Sequence, residues 1–214
     1  MFDTALELMP QYFEGLMMTL KVFIFTLLLS VPLGMLVSLG RTSKYKILND
    51  ITGVYVLIMR GTPLLLQLVF IFFGLPSINI NVDRFAAVLI AFVLNYGAYF
   101  AEIFRGGILS IEKGQYEGAE VLGLSRRDTF FRIIMPQAFK KILPPVANEV
   151  ITLVKDTSLI YAVGFDELLK IGKIASNRLS SLTPLLFVGI IYLILIGILT
   201  KILSRIEKRY GYYE

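Results

Sequence analysis

The sequence of 214 residues contains no cysteine and no histidine. Without thiols it can form no disulfide framework and has no cysteine nucleophile. Without imidazoles it lacks common zinc ligands and the general base of a Ser-His-Asp triad. Charged residues are also scarce, at 17% of the chain, where soluble domains carry about 25%. We therefore expect no catalytic residue, no metal site and no sizeable soluble domain.

Apolar residues are in excess instead, at 56% of the chain with a mean hydropathy of +0.73. A helix needs about 17–25 mainly apolar residues to cross the hydrocarbon of a bilayer. Windows of this kind account for nearly the whole apolar excess, so we predict an all-α, polytopic membrane protein with a single transmembrane domain over residues 1–214. The five predicted spans lie near residues 17–39, 54–75, 85–101, 142–163 and 184–203.

The basic residues predict the orientation of these spans, because cytoplasmic loops are enriched in Lys and Arg. If the first loop, the third loop (residues 105–141) and the C-terminal tail are cytoplasmic, fourteen of the 21 basic residues lie inside and four outside. The N-terminus is then outside and the C-terminus cytoplasmic. The residues before the first span are acidic, which favours a retained helix over a cleaved signal peptide. Topology accounts for the basic loops, so nucleic-acid binding is not expected.

The third loop is too polar to enter the bilayer and too short to form a domain. Gln115–Leu122 is predicted to be a short helix that ends at Gly123, a residue suited to a left-handed C-terminal position. Ser125 is predicted to begin a second helix, with Asp128 completing a variant capping box, and Pro136 to end it. Two short helices joined at a glycine could dock into a groove on a soluble partner. A loop lying at the membrane interface without a partner is the alternative.

The same loop resembles the EAA loop of ABC-importer permeases, whose pattern is E-A-A-x3-G-x9-I-x-L-P. Here the matching residues are Glu117-Gly118-Ala119, Gly123, Ile133 and Met135-Pro136, with Gly118 and Met135 as conservative departures. Five further blocks resemble the polar amino-acid uptake branch, the histidine, glutamine and arginine permeases. They are Arg60–Leu65, Phe104–Ile108, Lys113–Gln115, Met135–Ala138 and Lys155–Leu159.

The resemblance implies a type I importer-like fold and a multi-pass subunit of the prokaryotic plasma (inner) membrane. It also implies a second permease subunit, with a homodimer favoured, two ABC ATPase subunits, and an extracytoplasmic binding protein that delivers the amino acid. The chain has no G-x-x-x-x-G-K-[ST] phosphate loop. We therefore expect no cofactor in this chain, with ATP and Mg²⁺ bound by the ATPase.

In that family the EAA loop couples the permease to the ATPase. Small residues in the loop would allow close backbone approach, and its acidic residue could meet a basic or amide group of the partner. The coupling residues implied by the resemblance are Glu117, Gly118, Ala119, Gly123, Ile133 and Pro136.

Polar residues within the predicted spans indicate a substrate site, because an ionisable group in hydrocarbon needs a partner or a wet cavity. Two helical stripes stand out, Asn95 with Tyr99 and Glu102, and Glu149 with Thr152 and Asp156. Transporter sites often form where a span is broken. The Gly and Pro after Arg60 predict such a break in the second span. The candidate substrate-binding residues are Arg60, Asn95, Tyr99, Glu102, Asp156, Thr157 and Ser158.

The surplus of carboxylates favours a basic amino acid, arginine, lysine or histidine, and Arg60 or amides freed at the broken helix could hold the α-carboxylate. Glutamine or glutamate is the alternative substrate class. A stand-alone secondary transporter is less favoured, because the two halves of the chain show no inverted repeat. An intramembrane enzyme is disfavoured by the absence of histidine and cysteine.

Each polar residue also has a simpler interpretation. Glu102 could pair with Arg105, Asp156 could pair with Arg60, and Asn95 and Tyr99 could form interhelical hydrogen bonds. The amphipathic segment 164–183 is predicted to form an outer helix that either gates the path or rests at the lipid interface.

Overall fold

The computed structural model describes residues 2–210, with side chains from Glu7 onward. This part of the chain is helical and contains no strand. Two segments depart from α-helical geometry, a π-helical turn at Thr129–Ile134 and a 3₁₀ segment at Thr157–Val163. The helices are α1 (Phe2–Arg41), α2 (Lys46–Gly61), α3 (Leu64–Ser77), α4 (Arg84–Leu109), α5 (Lys113–Val121), α6 (Arg126–Asp128), α7 (Met135–Asp156), α8 (Leu168–Leu179) and α9 (Thr183–Tyr210).

Three of the described helices are long and apolar enough to cross a membrane, namely α1 from Glu7, α4 and α9. The bent pair of α2 and α3 would make a fourth span. The first, third and fifth predicted windows lie within the three long helices. Helix α7 is not among the four, because charged residues interrupt its apolar face. The count of five spans and the orientation of the termini therefore stay predictions.

Helix α1 begins well before the predicted start of the first span. The cause is tertiary packing, because Leu8 and Tyr12 are buried against Leu168 and Val188 of the outer part of the fold. The Tyr12 hydroxyl also donates to the Pro184 carbonyl at 3.2 Å. The acidic residues of this segment do not stop the helix, since a negative charge near a helix N-terminus is favourable.

The predicted break in the second span is confirmed. Helices α2 and α3 meet at an angle of 104°, with Thr62 and Pro63 in extended conformation between them. Proline disfavours helical backbone in the residue before it and supplies no N–H. The break therefore leaves backbone carbonyls of α2 without helical partners, and these face the polar residues of α4.

Helix α4 forms the centre of the fold and packs against α1, α2, α3 and α7. Glycines permit the close approach of α1. A Cβ added to Gly34 would lie 2.6 Å from the Phe100 Cβ, and one added to Gly97 would lie 2.7 Å from Leu33 Cδ2. Gly107 lies in the same way against Ile142 of α7. Small residues at helix contacts are typical of membrane bundles.

The two short helices of the third loop are confirmed. Helix α5 ends before Gly123, whose φ of +72° is left-handed as predicted. The Ser125 hydroxyl caps the next helix, accepting from the Asp128 amide at 3.1 Å and donating to its carboxylate at 2.6 Å. Local capping chemistry was therefore sufficient to place both helix boundaries.

The prediction that Pro136 ends this second helix is wrong. The helical chain continues from α6 through the π-helical turn into α7, and Pro136 lies in the first turn of α7. Proline is tolerated there because the first amides of a helix have no intrahelical acceptor. Helix α7 consequently begins within the segment assigned to the loop, and the loop itself is shorter than residues 105–141.

The helix predicted within residues 164–183 is present as α8, and its place on the outer face stays a prediction. Its apolar face does not lie open to lipid, because Leu168 and Ala175 are buried with residues of α1 and α9. Glu167 caps the helix through its carboxylate, accepting from the Leu169 and Lys170 amides at 2.7 and 2.6 Å. The helix is thus fixed to the bundle, and its role as a gate stays a prediction.

Candidate functional site

Asn95 and Gln67 hold the broken helix against α4. The Asn95 amide donates to the Met59 carbonyl at 2.8 Å and to Gln67 Oε1 at 3.0 Å. The Gln67 amide donates to Met59 O at 2.9 Å and to the Thr62 hydroxyl at 2.7 Å. Asn95, only 4% exposed, thus satisfies a backbone carbonyl freed by the break. The predicted interhelical hydrogen bond is confirmed for this residue.

A cavity of about 400 Å³ lies between this break, α4 and α7. We call it the binding cavity. Its wall combines backbone of the break with polar side chains of the two helices. The lining residues are Arg60, Gly61, Thr62, Pro63, Leu64, Asn95, Tyr96, Tyr99, Glu149, Thr152 and Asp156.

The binding cavity contains one guanidinium and two carboxylates. The Arg60 guanidinium lies over the Tyr99 ring, 5.1 Å from its centroid. Asp156 accepts a hydrogen bond of 2.8 Å from the Tyr96 hydroxyl. Among the described residues no ion pair involves Arg60, Glu149 or Asp156. The suggested pairing of Asp156 with Arg60 is therefore wrong, and these charges remain available to a ligand.

A second cavity of about 540 Å³ adjoins the first. It runs toward the end of α4 and the start of α7, beside the third loop, which we call the coupling loop. We call this second cavity the lower cavity. Its lining residues are Arg60, Tyr99, Glu102, Ile103, Gly106, Gly107, Ser110, Lys141, Pro145 and Glu149.

Glu102 belongs to the lower cavity rather than the binding cavity. Its carboxylate lies 2.6 Å from the Arg105 guanidinium and 3.3 Å from that of Arg41. Arg41 in turn donates to Asn49 Oδ1 at 2.6 Å, so the cluster ties the ends of α1, α2 and α4 together. The expected pairing with Arg105 is confirmed, and Glu102 is already neutralised.

Thr157 and Ser158 line neither cavity. The Thr157 hydroxyl is fully buried and donates to the Val154 carbonyl at 2.7 Å. Both residues belong to the 3₁₀ segment after α7, where the change of helical pitch rotates them away from the stripe that Asp156 ends. The structure thus brings together Arg60, Asn95, Tyr99 and Asp156 but not these two.

Several cavity residues were absent from the predicted site, namely Tyr96, Glu149 and Thr152. The sequence pattern pointed to Glu149 and Thr152, because they share a helical stripe with Asp156. Tyr96 lies next to Asn95 in sequence and gave no signal, since adjacent helical residues point in different directions. It reaches the cavity because α7 packs over it.

The coupling-loop residues form an exposed surface. Glu117, Gly118, Gly123 and Pro136 are exposed, Ile133 is half-buried and Ala119 is buried. Two apolar side chains beside the glycine, Val121 and Leu122, are 87% and 79% exposed. Such exposed apolar side chains beside a tight turn are typical of a protein contact.

A helical membrane chain with a polar cavity at a broken helix is the architecture of a transport permease. The chain belongs to the family of binding-protein-dependent transport system inner membrane components, which it matches over residues 30–210. The resemblance found in the sequence is thereby confirmed.

The relatives of this chain are amino-acid permeases. It is 35% identical to the arginine transport system permease ArtQ of Bacillus subtilis, covering 97% of this chain and 96% of that one. It is 38% identical to the glutamine permease GlnP of Escherichia coli (94% and 93%) and to the L-cystine permease TcyB of B. subtilis (93% and 86%).

A crystal structure of an amino acid ABC transporter with histidines matches 98% of both chains, with a TM-score of 0.91 and 32% identity. The MetNI methionine transporter has a TM-score of 0.75 at 20% identity, covering 95% of this chain and 98% of that one, and shows the shared fold.

This chain is therefore a permease subunit of an amino-acid ABC importer, and not the subunit that hydrolyses ATP. As such a permease it is a membrane protein, expected to pair with an ATPase and with a second permease subunit.

Proposed function

We propose that this permease imports basic amino acids, arginine, lysine or histidine, through the binding cavity. Arg60 would hold the α-carboxylate, because a guanidinium matches a carboxylate in charge and geometry. Asp156 and Glu149 would share the α-ammonium group and the cationic side chain. Asn95 and Gln67 would keep the broken helix in place and need not touch the substrate.

The charge balance of the binding cavity carries this proposal. Arginine, lysine or protonated histidine brings two cations and one anion, which complement the two carboxylates and one guanidinium of the cavity. A neutral amino acid would leave one half-buried carboxylate of the cavity wall without a ligand cation, which is less favourable than a paired one. The volume is within the range of about 300–1,000 Å³ found for small-molecule sites.

The names of the relatives do not separate the substrates, because they include arginine, glutamine and cystine permeases. Glu102, which the sequence placed among the candidate substrate ligands, is poorly suited to bind a further cation, since two arginines already surround it. Glu149 takes its place in the proposed site. Glutamine is the alternative substrate, and its side-chain amide would need to satisfy the second carboxylate.

The proposed assembly is a homodimer of this chain with two ATPase subunits, located in a prokaryotic plasma (inner) membrane and served by an extracytoplasmic binding protein. The ATPase would bind ATP and Mg²⁺ and dock on the coupling loop. The apolar side chains of Val121 and Leu122 would enter the contact, while Glu117 and the small residues at 118, 119 and 123 allow close approach.

ATP-dependent uptake of labelled arginine into proteoliposomes tests the proposed substrate. The vesicles contain this chain with its co-purified ATPase and binding protein, and unlabelled lysine, histidine and glutamine are added as competitors. We expect lysine and histidine to compete, and Asp156→Asn or Glu149→Gln to weaken arginine uptake about tenfold each, as for loss of one charged hydrogen bond.

Asp50→Asn is the matched control, because Asp50 is an exposed carboxylate of α2 that lines neither cavity. Its uptake should equal that of the wild type. Competition by glutamine alone, or full arginine uptake by both cavity variants, would contradict the proposed cationic site.

A further inference from the structure

The binding cavity and the lower cavity share one wall. Three residues line both of them, Arg60, Tyr99 and Glu149. Each comes from a different element, the end of α2, the middle of α4 and the middle of α7. The two cavities therefore meet at one level of the bundle, where these side chains separate them.

The lining residues follow one path along two antiparallel helices. On α4 they advance from Asn95 through Tyr99 to Ser110 at its end, a rise of about 22 Å at 1.5 Å per residue. On α7 they return from Asp156 through Glu149 to Lys141. The binding cavity occupies one half of this path and the lower cavity the other half.

The far end of the path adjoins the coupling loop. The Lys141 ammonium donates to the Ser110 carbonyl at 2.9 Å, joining α7 to the C-terminal end of α4. One helical turn earlier, the Gln137 amide donates to Gln115 Oε1 of α5 at 3.1 Å. A displacement of α5 by a docked subunit would thus act directly on the mouth of the lower cavity.

The charges of the two cavities differ in a way that favours release. In the lower cavity Glu102 is neutralised by two arginines, while Lys141 and Arg60 contribute positive charge. A cationic amino acid that leaves Asp156 would find no free carboxylate below Glu149. The lower cavity is therefore suited to passage and not to retention.

We propose that the lower cavity is the exit route and that the Tyr99 ring, covered by the Arg60 guanidinium, is the inner gate. This inference rests on the proposed function, because the amino acid that opens the gate is the substrate proposed there. Arg60 lines both cavities, so a carboxylate bound in the binding cavity would act on the same guanidinium that covers the Tyr99 ring. A bound amino acid would draw the guanidinium off the ring, so that occupancy of the cavity releases the gate.

A leak experiment tests this gate. Proteoliposomes of the whole transporter are loaded with labelled lysine or labelled glutamine, and efflux is measured without ATP. We expect Tyr99→Ala to release both solutes on the order of tenfold faster than the wild type, since both the ring and its cation–π contact are lost. Tyr99→Phe, which keeps a ring, should remain as tight as the wild type.

Tyr161→Ala is the matched control. Tyr161 also lies beneath a cation, with the Lys173 ammonium 5.2 Å from its ring centroid, but it lines neither cavity. It should not leak. Equal efflux from Tyr99→Ala and wild-type vesicles would overturn the gate. Because glutamine is measured beside lysine, this result does not depend on which amino acid is the substrate.

Thiol labelling provides a second test that keeps Tyr99 intact, and the chain has no cysteine of its own. Ser110→Cys places a thiol in the lower cavity and Thr152→Cys places one in the binding cavity. A membrane-impermeant reagent applied on the side of the third loop should modify position 110 at least about tenfold faster than position 152. The reagent reaches position 152 only in the open state of the gate, a minor state with a population of about one tenth or less. Equal rates at the two positions without substrate would overturn the proposal.

Discussion

The carboxylates of the binding cavity and those outside it are held in opposite ways. Glu102, at the coupling-loop end, lies between two arginines. Asp156, in the binding cavity, is bonded to a neutral tyrosine hydroxyl. Both residues occupy apolar helices and carry the same charge. A carboxylate of the helical bundle therefore indicates a ligand site when no ion pair among the described residues holds it.

Glu167 completes this comparison at the start of α8. It is fully buried, but backbone amides of α8 satisfy its carboxylate, with the Tyr192 hydroxyl 3.4 Å away. Glu102 and Glu167 fix helix ends, whereas Asp156 lines the binding cavity and accepts from a neutral hydroxyl. Replacing each by its amide should separate structural from ligand-binding roles.

The largest effect is expected at Glu167 and depends on pH. Burial raises the pKa of this carboxyl to about 7 from 4.5, although the amides of Leu169 and Lys170 partly oppose the shift. The folded state thus holds the proton more tightly than the unfolded state. Its contribution to stability is complete below pH 4.5 and is lost as pH rises to about 7. At about 1.4 kcal/mol per pH unit, the loss is about 3 kcal/mol.

Thermal unfolding of the purified transporter between pH 4.5 and 7 measures this loss. Glu167→Gln cannot titrate, so its melting temperature should fall less over that range than that of the wild type. Asp166→Asn, the exposed neighbour that pairs with Lys170, is the control and should keep the wild-type slope. Parallel curves for Glu167→Gln and the wild type would show that this carboxyl does not titrate with folding.

A smaller effect is expected from Glu102→Gln. The amide cannot neutralise Arg41 and Arg105, which are only partly exposed in the cluster. Loss of the charge-assisted hydrogen bonds should destabilise the fold by about 2 kcal/mol. The melting temperature measures it, and salt should narrow the difference from the wild type. A variant as stable as the wild type would mean that the cluster does not fix the helix ends.

Sequence reasoning succeeded where the cause was local. The break after Arg60 follows from Gly61 and Pro63, and the left-handed turn at Gly123 follows from its missing side chain. The Arg105 partner of Glu102 was expected because it lies three residues away. These features need no knowledge of packing, since neighbours along the chain determine them.

Long-range contacts account for what the sequence could not predict. Arg41 reaches Glu102 across 61 positions, and Tyr96 meets Asp156 only because α7 lies over α4. Thr157 shares a polar run with Asp156 yet turns into the core when the helix tightens. Pro136 was expected to end a helix, but it lies in the first turn of α7, where proline is tolerated.

The smallest effect on stability is expected from Asp156→Asn. This variant tests most directly whether the carboxylate of the binding cavity differs from those that fix helix ends. The amide oxygen can still accept the Tyr96 hydroxyl, and no ion pair of Asp156 within the described part of the chain is lost. The free energy of unfolding should change by less than about 1 kcal/mol, although uptake falls as proposed above. Asp156→Leu is the matched control, because it leaves the tyrosine hydroxyl unsatisfied and should cost about 1–3 kcal/mol. Loss of stability in Asp156→Asn equal to that in Glu102→Gln would mean that Asp156 is also held by a fixed cation, and the distinction between carboxylates of the binding cavity and those that fix helix ends would fail.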